Sequence, residues 1–181
     1  MILITTPMCK KILEFSRIKN FKVSKNPDKE RGDLAILLSE SKVKMNSIAL
    51  KLNTFTQIKE SIIKVSKYSD KGIITEDEIK DIFTKYEIAR QWLYPTSEIA
   101  IKKEYNSKIT VKVYSEFIKD IVLDMNFNIN NEKYDYVIYP DYLKDSIKEK
   151  NNLIEIPTHN NVSKDPIKRC ETRYAILNEI S

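Results

Sequence analysis

The chain has 181 residues, of which 41% are hydrophobic and 31% charged, a balance typical of a soluble globular protein with a packed core. Its two glycines, two cysteines and single histidine exclude a glycine-rich phosphate loop, a four-ligand zinc site and an iron–sulfur cluster within one chain. The net charge of +5 comes mainly from lysines interleaved with glutamates, whereas specific nucleic-acid sites favour arginine. We therefore expect neither a metal site nor a nucleic-acid partner.

Cysteine usage and hydropathy indicate a cytoplasmic protein. Two cysteines in a chain of this length do not form a disulfide framework, so a reducing compartment is expected. The longest apolar runs have the length of strands, and the N-terminus reads as a strand rather than a signal peptide, so we expect no membrane partner. Apolar helix surface is compatible with a homodimer, but the sequence does not fix the oligomeric state.

Alternating strand and helix patterns predict an α/β fold, with a single domain over residues 1–181 and a mostly parallel sheet flanked by helices. No internal repeat or linker marks a boundary. Near the N-terminus, the predicted strands are residues 2–5, 21–24 and 34–39, and the predicted helices are residues 8–18 and 43–52.

The middle of the chain is predicted to be helical, and the alternation then resumes. A capping box from Thr75 to Glu78 opens one helix, and residues 95–98 open another. The remaining predicted elements are strands at 109–114, 136–139 and 153–156, a helix at 116–125, a polar turn at 126–131, and a final helix capped by Asp165 that runs from Pro166 to Ile180.

Three predicted strands end in a proline followed by polar residues. These prolines are Pro7, Pro140 and Pro157. Because ligands bind outside the carboxyl ends of parallel strands, three such ends predict one mouth, completed by residues 39–44 after the central strand. The alternative is that each proline only stops its strand from pairing further.

Cys9 is the candidate nucleophile. Thr6 fits the N-cap of the first helix and Pro7 its first position, so Cys9 falls third, among backbone N–H groups that stabilise a thiolate. Reactive cysteines occur in this kind of electropositive setting. The alternative is a small buried hydrophobic side chain. Cys170, in the middle of the last predicted helix, is expected to be inert.

Two further segments carry candidate binding residues. Ser39, Ser41 and Lys44 lie where a strand runs into a predicted helix, a setting that suits a phosphate, although an ordinary capped helix is the alternative. Thr158 and His159 follow a strand end, where His159 fits a general base or a hydrogen-bond donor, or else a solvated loop residue.

Two family resemblances follow from these motifs. Residues 38–44 resemble the first strand–loop–helix of the inosine-triphosphate pyrophosphatase superfamily, with Leu38 where that family has glycine. Residues 2–9, Ile-Leu-Ile-Thr-Thr-Pro-Met-Cys, together with the chain length, resemble the HcgF family, which acts in biosynthesis of the iron–guanylylpyridinol cofactor of [Fe]-hydrogenase in methanogenic archaea. The first resemblance implies a fold distantly similar to that superfamily and a nucleotide-shaped cleft.

The HcgF resemblance implies an acyl-transfer enzyme. Cys9 would attack guanylylpyridinol adenylate, giving a protein thioester and AMP, with Thr6, Pro7 and Met8 as substrate contacts. The implied partners are this adenylate and the adenylating enzyme of the same pathway, with no tightly bound cofactor and guanylylpyridinol as substrate or ligand. The alternatives are a Mg²⁺-dependent nucleotide pyrophosphatase, a non-covalent guanylylpyridinol-binding chaperone, and a basic nucleic-acid binder.

Overall fold

The computed structural model describes residues 1–158 and 162–180 and is an α/β protein built on parallel strands, which confirms the predicted fold class. The chain divides into two compact units. The first comprises Met1–Tyr86 with Ser163–Lys168, and the second comprises Glu87–Val162 with Arg169–Ser181. Each unit has its own four-stranded sheet.

The first unit has a parallel sheet in the order β2-β1-β3-β4. Its elements are β1 (Leu3–Thr5), α1 (Lys10–Phe15), β2 (Phe21–Val23), β3 (Leu34–Leu38), β4 (Ser47–Leu50), α2 (Phe55–Ser66) and α3 (Glu76–Phe83). The central strand β3 is buried along its middle, as its unbroken apolar run predicts. Thr5 ties β1 to β3, because its buried hydroxyl donates to the carbonyl of Ile36 at 2.8 Å.

The predicted helix at residues 43–52 is wrong, because this segment forms the edge strand β4. Ile48, Ala49 and Leu52 fit a helical stripe, but residues 47–50 also fit a strand with one face towards the core, and their observed exposure alternates. Pairing with β3, in the register Ala35 to Ser47, decides between the two patterns. Tertiary pairing here overrides local periodicity.

The second unit also has an all-parallel sheet, in the order β6-β5-β7-β8. Its elements are α4 (Glu87–Leu93), α5 (Ser97–Asn106), β5 (Thr110–Val113), α6 (Glu116–Asp124), β6 (Asn128–Ile129), β7 (Tyr136–Pro140), β8 (Leu153–Ile156) and most of α7 (Pro166–Asn178). The predicted polar turn at 126–131 contains the short strand β6, which pairs with β5.

The two units repeat one topology. In each, the first strand is followed by a helix and an edge strand, then by two strands on the other side, and the strand orders correspond position by position. The expectation of a single sheet is therefore wrong. The repeat lies in the order of the elements and is not visible as a sequence period, and no linker separates the units. Sequence patterns alone therefore predicted one sheet instead of two.

Several predicted helix starts are confirmed. The Thr75 hydroxyl and the Glu78 carboxylate form the reciprocal capping box that opens α3. At the start of α7, Asp165 accepts hydrogen bonds from the backbone of Ile167 at 2.9 Å and of Lys168 at 3.3 Å. None of the helices in the described part of the chain combines the length and apolar character that crossing a lipid bilayer requires.

Candidate functional site

The carboxyl edge of the first sheet brings together two of the predicted segments. From β1 the chain passes through α1 to β2 on one side, whereas β3 lies on the other side of β1. This is a topological switch point, the place where open parallel sheets bind ligands. Residues 6–9 follow β1 and residues 39–41 follow β3, so both segments lie at this edge.

The turn from β1 to α1 differs from the prediction in detail. The carbonyl of Thr6 accepts hydrogen bonds from the N–H groups of Cys9 and Lys10, both at 3.1 Å. This tight turn occupies residues 7–9, so regular helix begins at Lys10 and Cys9 is the N-cap rather than the third helical residue. The helix has only six residues, so its dipole is a weaker support for a thiolate than the predicted longer helix.

Cys9 is fully buried. Its exposed fraction is 0%, the same as for Ile12 and Leu13 on the following helix. The thiol therefore has the burial of a core side chain, as the alternative interpretation of Cys9 expects. Cys170 is buried as well, and burial raises the pKa of its thiol well above the usual value, in agreement with the expectation that it is inert.

A cavity of about 380 Å³ adjoins the β1–α1 turn and is called the lysine cavity here. It is lined by Pro7, Val23, Lys10, Lys11, Lys164, Glu14 and Asp165. Glu14 is shared by Lys11 at 2.9 Å and Lys10 at 3.5 Å, and the hydrogen bond from Lys11 lowers the pKa of the Glu14 carboxyl. Within the described residues, Lys164 makes no ion pair.

The carboxylate of Asp165 is already committed inside the first unit. One oxygen caps α7, and the other accepts a hydrogen bond from the hydroxyl of Tyr86 at 2.7 Å. The lysine cavity therefore carries three ammonium groups against one shared and one hydrogen-bonded carboxylate. Such a lining favours an anionic ligand.

Ser39, Ser41 and Lys44 lie in an exposed loop, but the predicted phosphate cradle is not formed there. No helix follows, and the backbone N–H groups are already used: those of Ser39 and Ser41 donate to carbonyls at 2.9 Å, and that of Lys44 donates to Asp28 at 2.9 Å. What remains for a ligand is two exposed hydroxyls and the Lys44 ammonium. The strand–loop–helix on which the resemblance to the pyrophosphatase superfamily rests is therefore not formed by residues 38–44.

The carboxyl edge of the second sheet holds Thr158, whereas His159 lies outside the described residues. Thr158 is 5% exposed, and its N–H donates at 3.0 Å to Asp141, which also accepts its hydroxyl. This pair joins the ends of β7 and β8. The N–H and the hydroxyl of Thr158 therefore link two strand ends by hydrogen bonds and are not directed towards a ligand.

Sequence reasoning missed two buried arginines on α7. Arg169 is 2% exposed and Arg173 is 6% exposed. The chain has only 5 arginines among its 31 basic residues, and these are two of them. The signal that could have revealed them is their spacing. They lie four residues apart on the helix, next to the buried residues Cys170, Tyr174 and Leu177. Basic residues on the apolar face of a helix are candidates for ligand contacts.

Another charged cluster lies on the second sheet. Lys112 contacts Glu149 at 2.6 Å, and the Tyr114 hydroxyl donates to the same carboxylate oxygen at 2.8 Å. These two hydrogen bonds lower the pKa of Glu149 to about 2. In the described part of the chain, no three His, Cys, Asp or Glu side chains are grouped so that they could hold a metal ion.

Comparison with known proteins gives one partial family match. Residues 105–181 match the MJ0786 family C-terminal domain, a family of archaeal proteins, and this segment runs from the end of α5 through α7. The match covers less than half of the chain. No curated protein matches.

Among solved structures, the chain is similar to a Zn(II)-bound histidine-to-leucine mutant of AdcAII from Streptococcus pneumoniae. The identity is 10% and the TM-score 0.47, over 99% of this chain and 98% of that chain. A likeness of this size carries no argument about function. The identification that the comparisons support is similarity of the C-terminal part of the chain to the MJ0786 family domain.

Proposed function

We propose that this chain binds a phosphate-bearing ligand of the guanylylpyridinol type at the carboxyl edge of its first sheet. The observation that carries the proposal is the lysine cavity beside the β1–α1 turn, where Lys164 makes no ion pair with a described residue. Its volume of about 380 Å³ is within the range of small-molecule sites. The resemblance of residues 5–11 to the HcgF family supports the ligand class.

The charges of the lysine cavity support a phosphate group rather than a neutral ligand. Lys10 and Lys11 share a single carboxylate, and a phosphate would bring two further negative charges to three ammonium groups. Because these lysines are partly or fully exposed, each contact is screened by salt. We therefore expect moderate affinity that weakens as the salt concentration rises.

Binding is tested by titration calorimetry with guanylylpyridinol, with guanosine monophosphate as the phosphate-bearing fragment and guanosine as its matched control. Lys164→Gln should weaken binding about threefold, and Lys164→Glu about tenfold, as expected for an exposed charge contact and its reversal. Lys80→Gln, at an exposed lysine on α3 that lines no part of this cavity, should bind like the wild type. Equal affinity for all variants would refute the proposed site.

As a second candidate function, we propose that Cys9 accepts the acyl group of guanylylpyridinol adenylate. The thiolate sulfur attacks the acyl carbon, the bond from that carbon to the phosphate oxygen breaks, AMP leaves, and the thiol proton passes to solvent. What favours Cys9 is its place between Pro7 and Lys10, both of which line the lysine cavity. Since Cys9 is 0% exposed, the turn at residues 7–9 must open before attack.

The covalent step is tested by mass spectrometry after incubation with the adenylate. We expect an acyl mass increase that hydroxylamine reverses, that Cys9→Ala abolishes and that Cys170→Ala retains. Loss of the adduct with normal guanylylpyridinol binding would leave the binding function alone, as a non-covalent chaperone. An adduct at Cys170 alone would contradict the assignment to Cys9.

A further inference from the structure

Arg173 is an unusual side chain in the second unit, because its charge is buried and makes no ion pair with any described residue. Only 6% of it is exposed, and Arg169, one helical turn earlier on α7, is 2% exposed. Burying a guanidinium costs several kcal/mol unless hydrogen bonds and an opposite charge compensate it. Two such groups one turn apart also repel each other.

The contacts of Arg173 fix its guanidinium but do not neutralise it. Nε donates to the carbonyl of Pro157 at 3.1 Å, and Nη2 donates to that of Thr158 at 3.4 Å. Cζ lies over the ring of Phe117, 4.8 Å from the ring centroid. Nη1 makes no hydrogen bond to any described residue. Carbonyls and an aromatic face orient the cation, and Nη1 keeps its two donors for another acceptor.

The nearby carboxylate is Asp141. Asp141 attracts Arg173 electrostatically, and its two oxygens accept the N–H and the hydroxyl of Thr158. Burial, and then the charge of Arg169, lower the pKa of Arg173 to about 10. Of the charged groups that act on Arg173, one carboxylate stands against the charge of Arg169, so a bound anion would stabilise the pair of arginines further.

The position of Arg173 matches that of a ligand contact. Pro157 and Thr158 directly follow β8, Asp141 directly follows β7, and Phe117 lies in the first turn of α6 after β5. All of them are at the carboxyl edge of the second sheet, the edge at which parallel sheets bind ligands.

We propose that Arg173, supported by the charge of Arg169, binds an oxyanion of the phosphate type at the carboxyl edge of the second sheet. Guanidinium suits phosphate oxygens because its N–H groups are fixed in one plane and remain charged. This site is distinct in sequence and in sheet from the lysine cavity, and it does not depend on the function proposed for that cavity.

The test is titration of the full chain with inorganic phosphate at constant ionic strength, followed by ³¹P line broadening and calorimetry. We expect saturable binding that Arg173→Gln weakens at least tenfold, as for loss of a charge-assisted hydrogen bond. Arg173→Lys should bind with intermediate affinity because it keeps the charge without the fork. Far-ultraviolet circular dichroism checks that each variant is folded. If Arg173→Gln does not fold, the comparison of Arg173→Lys with the wild type carries the test.

Lys80→Gln is the matched control, because it removes an exposed cation on α3, in the first unit, and should leave the phosphate affinity unchanged. If Lys164→Gln abolishes phosphate binding while Arg173→Gln and Arg173→Lys bind normally, the anion site is the lysine cavity and the assignment to Arg173 is overturned. Absence of saturable phosphate binding in the wild type overturns it as well. Either result leaves the guanylylpyridinol titration to be judged on its own.

Discussion

Alkylation of Cys9 measures directly whether the β1–α1 turn opens. Exposing the thiol requires breaking the two hydrogen bonds accepted by Thr6, each worth about 1 kcal/mol, and removing the buried sulfur from its packing at about 1 kcal/mol more. An opening free energy of about 3 kcal/mol lowers the alkylation rate about 150-fold relative to the unfolded chain. Cys170, in the middle of α7, should be protected by a larger factor that approaches global unfolding.

The assay is quenched iodoacetamide labelling followed by mass spectrometry, with Cys170→Ala reporting on Cys9 and Cys9→Ala reporting on Cys170. Both rates are compared with those in denaturant at the same pH, so that intrinsic thiol reactivity cancels. If Cys9 is labelled as fast as in the unfolded chain, its burial is refuted. If it is labelled only as slowly as Cys170, local opening does not occur and the acyl-transfer proposal fails.

Two further predictions concern stability. Gly32→Ala should destabilise the protein by about 1 to 3 kcal/mol in urea unfolding, because a Cβ atom there would lie 2.6 Å from Cγ1 of the fully buried Ile4; unchanged stability would contradict this packing. Because hydrogen bonds from Lys112 and Tyr114 lower the pKa of Glu149 to about 2, its ionised form stabilises the folded state above the unfolded pKa of about 4.3, and this contribution is lost as the pH falls towards 2. Glu149→Gln should therefore cost about 1 kcal/mol at pH 7 and nothing near pH 2, and a cost independent of pH would refute the ion pair.

The parts of the fold that were predictable are those set by local chemistry. The apolar run of β3 and the capping residues Thr75 and Asp165 act within a few residues of themselves, and each has the predicted role. The helix predicted at 43–52 failed because β4 satisfies a helical stripe and a strand alternation equally well, and only pairing with β3 separates them. Sheet membership is a long-range property of this kind, so one sheet was expected where two exist.

The candidate site was predictable at the level of edges and not of side chains. Thr6, Pro7 and Cys9 do lie at the carboxyl end of β1, but burial of Cys9 depends on packing that no local pattern encodes. The arginines of α7 were missed because their charge predicts exposure. A basic residue is expected to face solvent, and no local pattern shows that α7 buries the face that carries Arg169 and Arg173.

The prolines that end three strands show how the repeated topology changes the functional interpretation. Pro7 follows β1 in the first sheet, whereas Pro140 ends β7 and Pro157 follows β8 in the second. The last two strands are neighbours, and the bonds from Thr158 to Asp141 join their ends, so these two ends do form one local structure. Since carboxyl ends converge only within a sheet, two parallel sheets have two edges of the kind at which such sheets bind ligands. Each edge carries its own basic groups, Lys164 at the first and Arg173 at the second, so the two proposed sites need separate variants.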